Sequence, residues 1–297
     1  MAKRNSKSGT GIGKMLIFLI IIAACVGAWQ LYASSAKKKA DAQAVGTENL
    51  TKVITPKGTP EQIVTYPGMT VSFNSAKHVP NWVAWELTAS MAEGNVPRES
   101  GFYNDPDVAG CAETYDYSYS GYDRGHMAPA GDMKWSSDAM HATFSLANIC
   151  PQAHSLNSGA WKKLEEKCRT WAKADSSIII VCGPVLTDNI REYIGDTRVA
   201  VPKRFFKVIL APHANPVRGI GFIMPNDKVP GGMQAAAVSI DDVEKATGLD
   251  FFSSLPDEIE NEVEKQCDFH RWSTIRPKNS RKSQPKHSTT PSAPYRH

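Results

Sequence analysis

Tyr122-Asp123-Arg124-Gly125-His126-Met127-Ala128-Pro129-Ala130-Gly131-Asp132 is the stretch from which the rest of the chain is read. Four consecutive residues, Asp123 to His126, supply an acid, a base, a glycine and a histidine, and Pro129 stiffens the exit. An imidazole takes up a proton near neutral pH, and a guanidinium grips phosphate oxygens through a planar fork. The pairing suits phosphate chemistry, but a four-residue match acquires meaning only from what accompanies it.

Downstream, Ser136 to Ala147 reads as a short helix leading into Asn148-Ile149-Cys150-Pro151-Gln152. In Leu156 to Trp171 the apolar residues Trp161, Leu164, Cys168 and Trp171 recur at helical spacing, with Asn157 at the start. Taken alone, an Asn at that place reads as a helix cap. Glu165 and Arg169 stand one turn apart, close enough for an ion pair. Ser177-Ile178-Ile179-Ile180-Val181-Cys182-Gly183-Pro184 has the β-branched run of a strand buried on both faces. Residues 205–210 and 219–224 read as a strand pair, 238–244 as a strand-to-helix turn and 257–267 as an acidic helix. Upstream, 62–66, 70–74 and 82–88 are strand candidates. From 95 to 122 the Pro-, Gly-, Asp-, Tyr- and Ser-rich sequence has no period and reads as a long functional loop. The order of elements implies an α+β fold, a central mixed or antiparallel sheet flanked by helices.

Several separated segments resemble one family in the same order. Asp123-Arg124-Gly125-His126, Asn148-Ile149-Cys150-Pro151-Gln152, Leu156-Asn157-Ser158-Gly159-Ala160-Trp161 and Glu165 are similar to the signature of the DNA/RNA non-specific endonucleases. These are sugar-non-specific nucleases of the ββα-metal (His-Me finger) superfamily, related to endonuclease G. The likeness spans residues 62 to 272. It implies a ββα catalytic element with His126 as general base and Asn157 as ligand to Mg²⁺, Mn²⁺ or another divalent cation. It further implies Glu165 as the acid holding metal-bound water, and Arg98, Arg124 and Arg169 as phosphate contacts, Arg98 on the shorter match Pro97-Arg98-Glu99. Asn148 would position the loop, and Asp123 would orient the motif backbone or its histidine. DNA and RNA would be the substrates, cut to 5′-phosphate and 3′-hydroxyl ends. The chemistry of the residue types agrees, since phosphodiester hydrolysis needs an activated water, a charged clamp on the phosphoryl oxygens and help for the leaving alkoxide. Two rival readings are a phosphodiesterase or pyrophosphatase acting on small nucleotides, and a non-catalytic, membrane-anchored nucleic-acid-binding protein.

Outside this core the N-terminus stands apart. Basic residues 1–14 precede an apolar run, Met15 to Ala33, long enough to span a bilayer as a helix. A polar linker is expected over 34–61 and a basic, disordered tail over 273–297, with Lys278, Arg281, Lys282 and Lys286 near its start. The run reads as a membrane anchor, with a lipoprotein site at Cys25 or an ordinary signal peptide as alternatives. Each places the catalytic domain on the outer side of a membrane, or secretes it. In that setting Cys111, Cys150, Cys168, Cys182 and Cys267 could hold one or two disulfides. A zinc site from Cys150, His154 and Cys168 lacks any Cys-x-x-Cys pair. The formal charge, 34 − 30 = +4, permits a polyanionic partner without requiring one. No zinc-finger, helix-turn-helix or RNA-binding aromatic signature points to sequence readout.

Overall fold

A computed structural model of the chain describes residues 22–23, 26–31 and 49–277. The expected strands and helices are present. In chain order the strands are β1 (Val53–Ile54), β2 (Gln62–Tyr66), β3 (Met69–Asn74), β4 (Val79–Thr88), β5 (Asp123–His126), β6 (Ile149–Gln152), β7 (Ser177–Pro184), β8 (Tyr193–Ile194), β9 (Val199–Ala200), β10 (Arg204–Ala211), β11 (Arg218–Pro225), β12 (Ala237–Val238) and β13 (Asp250–Phe251). The helices are α1 (Ser137–Ala142), α2 (Lys162–Asp175), α3 (Gly232–Ala236), α4 (Ile240–Thr247), α5 (Asp257–Glu264) and α6 (Phe269–Ser273).

Seven strands form one sheet in the order β12-β11-β10-β7-β4-β3-β2, every neighbour antiparallel. β7 lies at its centre with all eight residues buried, as its unbroken apolar sequence requires. Period-2 alternation then sorts side chains into two layers. Val83, Trp85, Ile180, Cys182, Phe205 and Ile209 face α2, joined by its Trp161, Leu164, Cys168 and Trp171. Trp82, Ala84, Ile179, Val181, Phe206 and Val208 face the opposite side and pack on Ile240, Val243, Phe251 and Val263. The fold is thus α+β, with helices on both faces of an antiparallel sheet.

Three sequence expectations need adjustment. The segment expected as linker joins the fold before it ends: Leu50 and Val53 are buried, and β1 pairs with β13 from the far end of the chain. The first helix ends at Ala142, followed by a single 3₁₀ turn at Leu146–Asn148. All five cysteines from Cys111 onward are free thiols, four of them buried, so the disulfides anticipated for an exported domain are not formed. Cys150 and Cys168 are enclosed while His154 is exposed, and the three do not assemble a zinc site. Most of the apolar run 15–33, Cys25 and the basic tail from Lys278 lie outside the described residues. Among the described residues no helix is long and apolar enough to cross a membrane.

α6 closes the α2 side of the core. The Trp272 ring meets Trp171 edge-on at 4.8 Å, and the Trp171 indole donates to the Trp272 carbonyl at 2.9 Å. Trp272→Ala should therefore destabilise the domain by about 3–5 kcal/mol, read as a lower urea midpoint. An unchanged midpoint would mean that α6 is dispensable to the core.

Candidate active site

The motif residues Asp123 to His126 are β5, and the second segment, Ile149 to Gln152, is β6. The two pair antiparallel, Gly125 opposite Cys150 and His126 opposite Ile149. Gly125 is required by closeness, because a Cβ there would stand 2.2 Å from the Gln152 amide oxygen. Asn148 is fully buried and clamps the exit of β5. Its Oδ1 accepts from the Ala128 N–H, its Nδ2 donates to the Ala128 and Thr143 carbonyls, and its own carbonyl accepts from the Met127 N–H. Both amide hydrogens are spent on backbone and the side chain is fully enclosed, so it braces the loop.

After β6 the chain enters one wide π-helical turn, Leu156–Trp161, kinked at Gly159, and then α2. Strand, strand and helix form the expected ββα unit. Side chains tie its parts together, foremost the Trp161 indole, which donates to the His126 carbonyl at 3.2 Å. Asn157 lies one turn before Trp161 and does not cap the helix. Its Nδ2 donates to Asp123 Oδ2 at 2.8 Å, and the same oxygen receives His154 Nδ1 at 2.9 Å. Asp123 therefore orients Asn157 and His154 rather than the motif histidine, correcting the expectation above. With the amide nitrogen committed, Asn157 presents its Oδ1 as a neutral, hard acceptor.

His126 is 8% exposed. Its ring lies 5.3 Å from Phe102 and 5.2 Å, edge-on, from Phe144, and its Nε2 is enclosed without a hydrogen-bond partner. Burial, aided by the Arg98 charge, pushes its pKa down to about 3, so the ring is neutral at physiological pH. The Arg98 guanidinium stands 5.2 Å from the Phe144 ring centre, and that of Arg124 lies between Phe102 and Tyr117 at 5.5 and 5.6 Å. Arg124 also donates to the Thr114 carbonyl at 2.6 Å, which pins the long loop to the motif. Two phenylalanines thus hold the histidine and two arginines together by apolar contact and cation–π attraction.

On α2, Glu165 is partly buried, and burial raises its carboxyl to about 7 against the opposing pull of Lys207. Arg169 does not pair with Glu165 as the helical spacing suggested. Its Nη1 donates at 2.8 Å to Asp132, which is 1% exposed and also accepts from the Trp85 indole at 3.2 Å. Gly131 makes this possible, since a Cβ there would meet Arg169 Nη1 at 2.8 Å. The Arg98 charge acts on both His126 and Glu165, and Glu165 in turn feels Arg169 and Asp132. Asp132, Phe102, Phe144 and Trp85 were not read as site residues from the sequence, and Trp161 was read only as a helix-core and signature residue, although Asp132 closes the opening motif.

A divalent cation fits this donor set. Mg²⁺ retains several waters and takes few protein ligands, which suits the lone amide of Asn157 oriented by Asp123. Among the described residues the one group of three acidic or thiol/imidazole ligands close enough to cage an ion is Asp241, Glu244 and Glu264. Asp241 and Glu244 belong to α4, on the opposite face of the sheet.

The desolvated histidine has a consequence for stability. An unfolded histidine titrates near 6.5 and the folded one near 3, so between those values the unfolded chain binds a proton that the folded one refuses. His126 thus contributes a loss of stability as pH falls from 6.5 toward 3. His126→Gln should narrow the gap between urea midpoints measured at pH 7.5 and pH 5. An equal gap in both proteins would show that the ring is not desolvated.

Comparison with known proteins places these features. Residues 46–258 match the DNA/RNA non-specific endonuclease family along their length. The mitochondrial nuclease EXOG of Mus musculus is 38% identical over 208 residues, covering 64% of this chain and 56% of the relative. The mitochondrial nuclease of Saccharomyces cerevisiae is 36% identical over 208 residues, 62% of this chain and 63% of the relative, and a Nostoc nuclease 33% identical over 212, with 67% and 76% covered. The chain thus spans little more than half the length of the mouse relative. The crystal structure of the EndoG/EndoGI complex superposes with a TM-score of 0.62 at 30% identity, over 66% of this chain and 87% of that one. The expected placement on the outer side of a membrane is corrected: the mouse and yeast relatives are named mitochondrial nucleases, and no described helix could span a bilayer. With its ββα unit, its antiparallel sheet and a match over most of its length, this chain belongs to the DNA/RNA non-specific endonuclease family.

Proposed function

We propose that the protein is a metal-dependent nuclease that hydrolyses phosphodiester bonds of DNA and RNA without reading sequence. The observation that carries this reading is His126 enclosed between Phe102 and Phe144, in a setting where burial and the Arg98 charge keep the ring neutral. A water held against an open nitrogen of the ring loses its proton to it as it attacks phosphorus. The bond to the 3′ oxygen then breaks and that oxygen takes up a proton from solvent, leaving a 5′-phosphate and a 3′-hydroxyl. A bound phosphate offsets the Arg98 charge and so raises the basicity of the ring when substrate is present. Arg98 and Arg169 neutralise charge developing on the phosphoryl oxygens. Arg124, engaged with Thr114 and two aromatic rings, turns toward phosphate from that anchored position.

Asn157 Oδ1 would hold the divalent cation, Mg²⁺ or Mn²⁺, with Glu165 accepting hydrogen bonds from its waters. The cation, when bound, stabilises negative charge on the phosphate and on the departing oxygen. Asp123 serves this site by fixing the Asn157 amide. The names of the relatives support a polymeric substrate over small phosphoesters, and contacts to phosphate alone would treat DNA and RNA alike.

The direct test is digestion of plasmid DNA and of RNA with Mg²⁺ present. His126→Ala should lose about 10²–10⁴-fold in rate, and parental cutting by that variant would remove His126 from its role. Asp123→Ala should raise the Mg²⁺ concentration for half-maximal activity by roughly 10–100-fold while the fold survives. A parental Mg²⁺ titration would show that Asn157 is not oriented through Asp123.

A further inference from the structure

Lys207 is a charge where the fold alone calls for an apolar residue. It sits in mid-strand on β10, opposite Cys182 of β7, and is 1% exposed. Its neighbours on the same face, Phe205 and Ile209, belong to the core beneath α2. A buried ammonium is strongly unfavourable unless something compensates it. Here Nζ finds no oxygen acceptor among the described residues, and its hydrogen-bond contact is to the Cys182 thiol across the strand pair. It rests instead 4.4 Å from the centre of the Trp161 ring and 5.2 Å from that of Trp85.

Those two indoles are the ones that grip the site. Trp161 donates to the His126 carbonyl, and Trp85 to Asp132, whose other oxygen holds Arg169. The groups that bear electrostatically on the ammonium are Cys182, Cys168, Glu165 and Asp132. Burial pushes both thiols up, Cys182 to about 11, so at neutral pH they are uncharged; burial raises both carboxyls as well, Glu165 to about 7, and the ammonium draws each back toward its charged form. Among the charges acting on Glu165, Lys207 is the largest. One buried cation therefore touches both tryptophan anchors and faces the two acids on which the helix side of the site depends.

We infer that Lys207 is a positioning residue for the nuclease reaction: its ammonium, seated on Trp161 and Trp85, is the counter-charge that keeps the Asp132 and Glu165 carboxylates in place beneath the site and thereby aims Arg169. Lys207 itself touches no substrate. Its effect on rate rests on the nuclease reading above, whereas its coupling to Asp132 and Glu165 does not.

The test compares Lys207→Met, of similar length without charge, with Lys207→Arg, alone and combined with Glu165→Gln and with Asp132→Asn. Both urea unfolding and plasmid cleavage are followed. A folded Lys207→Met protein should lose on the order of 10–100-fold in kcat, with KM within about twofold because no substrate contact is removed. Lys207→Arg should recover part of that loss. On the Glu165→Gln or Asp132→Asn background, Lys207→Met should add far less than it costs alone, in kcat and in the shift of urea midpoint. Parental kcat in folded Lys207→Met, or full additivity on both backgrounds, overturns the proposal. Should the Met variant not fold, Lys207→Gln takes its place, and equal kcat for the Gln and Arg variants overturns the proposal as well. If the parent cuts no nucleic acid, the nuclease reading fails alone, and additive urea midpoints still decide against the Lys207 coupling.

Discussion

The Trp161 indole joins the two halves of the site, and the surrounding fold is what permits it to. The general-base candidate comes from a two-stranded hairpin, which is marginal in isolation, and the metal-ligand candidate from a helix entrance. Neither element is positioned by its own backbone bonds relative to the other. The bond from Trp161 Nε1 to the His126 carbonyl, together with that from Asn157 to Asp123, sets their separation. It lies in a dry core, where it is not contested by water. The sheet keeps it dry: β7 and β10 are buried on both faces, and α2 lies across them with Leu164, Cys168 and Trp171.

Around this anchor the polar groups are handled in two ways. Those that must hold backbone are saturated, as with Asn148, whose amide is spent on Ala128 and Thr143. Those offered to chemistry keep one valence open. Asp123 occupies the nitrogen of Asn157 and leaves its oxygen, and the two phenylalanines enclose His126 while Nε2 stays without a partner. Such open valences are costly in a core and are expected where function requires them.

Much of this was legible in the residues themselves. The strands declared themselves through β-branched runs and alternation, and α2 through Trp161, Leu164, Cys168 and Trp171 at helical spacing. The ββα unit followed from three short segments in order. What stayed hidden depends on distance along the chain. Nothing local shows that Asp132 rather than Glu165 receives Arg169, that Asp123 reaches across to Asn157, or that Lys207 points inward from a strand whose pattern would pass with any apolar residue. The β1–β13 pairing was hidden for the same reason, since Val53 and Phe251 are nearly two hundred residues apart in sequence.

That late placement of partners bears on the order in which a growing chain becomes complete. The residues assigned to chemistry lie between Arg98 and Arg169 and emerge during the middle of synthesis. β10, which brings Phe205 and Lys207 under the helix, comes afterwards, and β13, which captures β1, comes later still. Domains fold as units once their cooperative partners are available. A ribosome-bound chain can therefore display every group of the site while lacking the strand that seats its tryptophans. Maturation of the site is thus tied to completion of the sheet rather than to synthesis of its own motif.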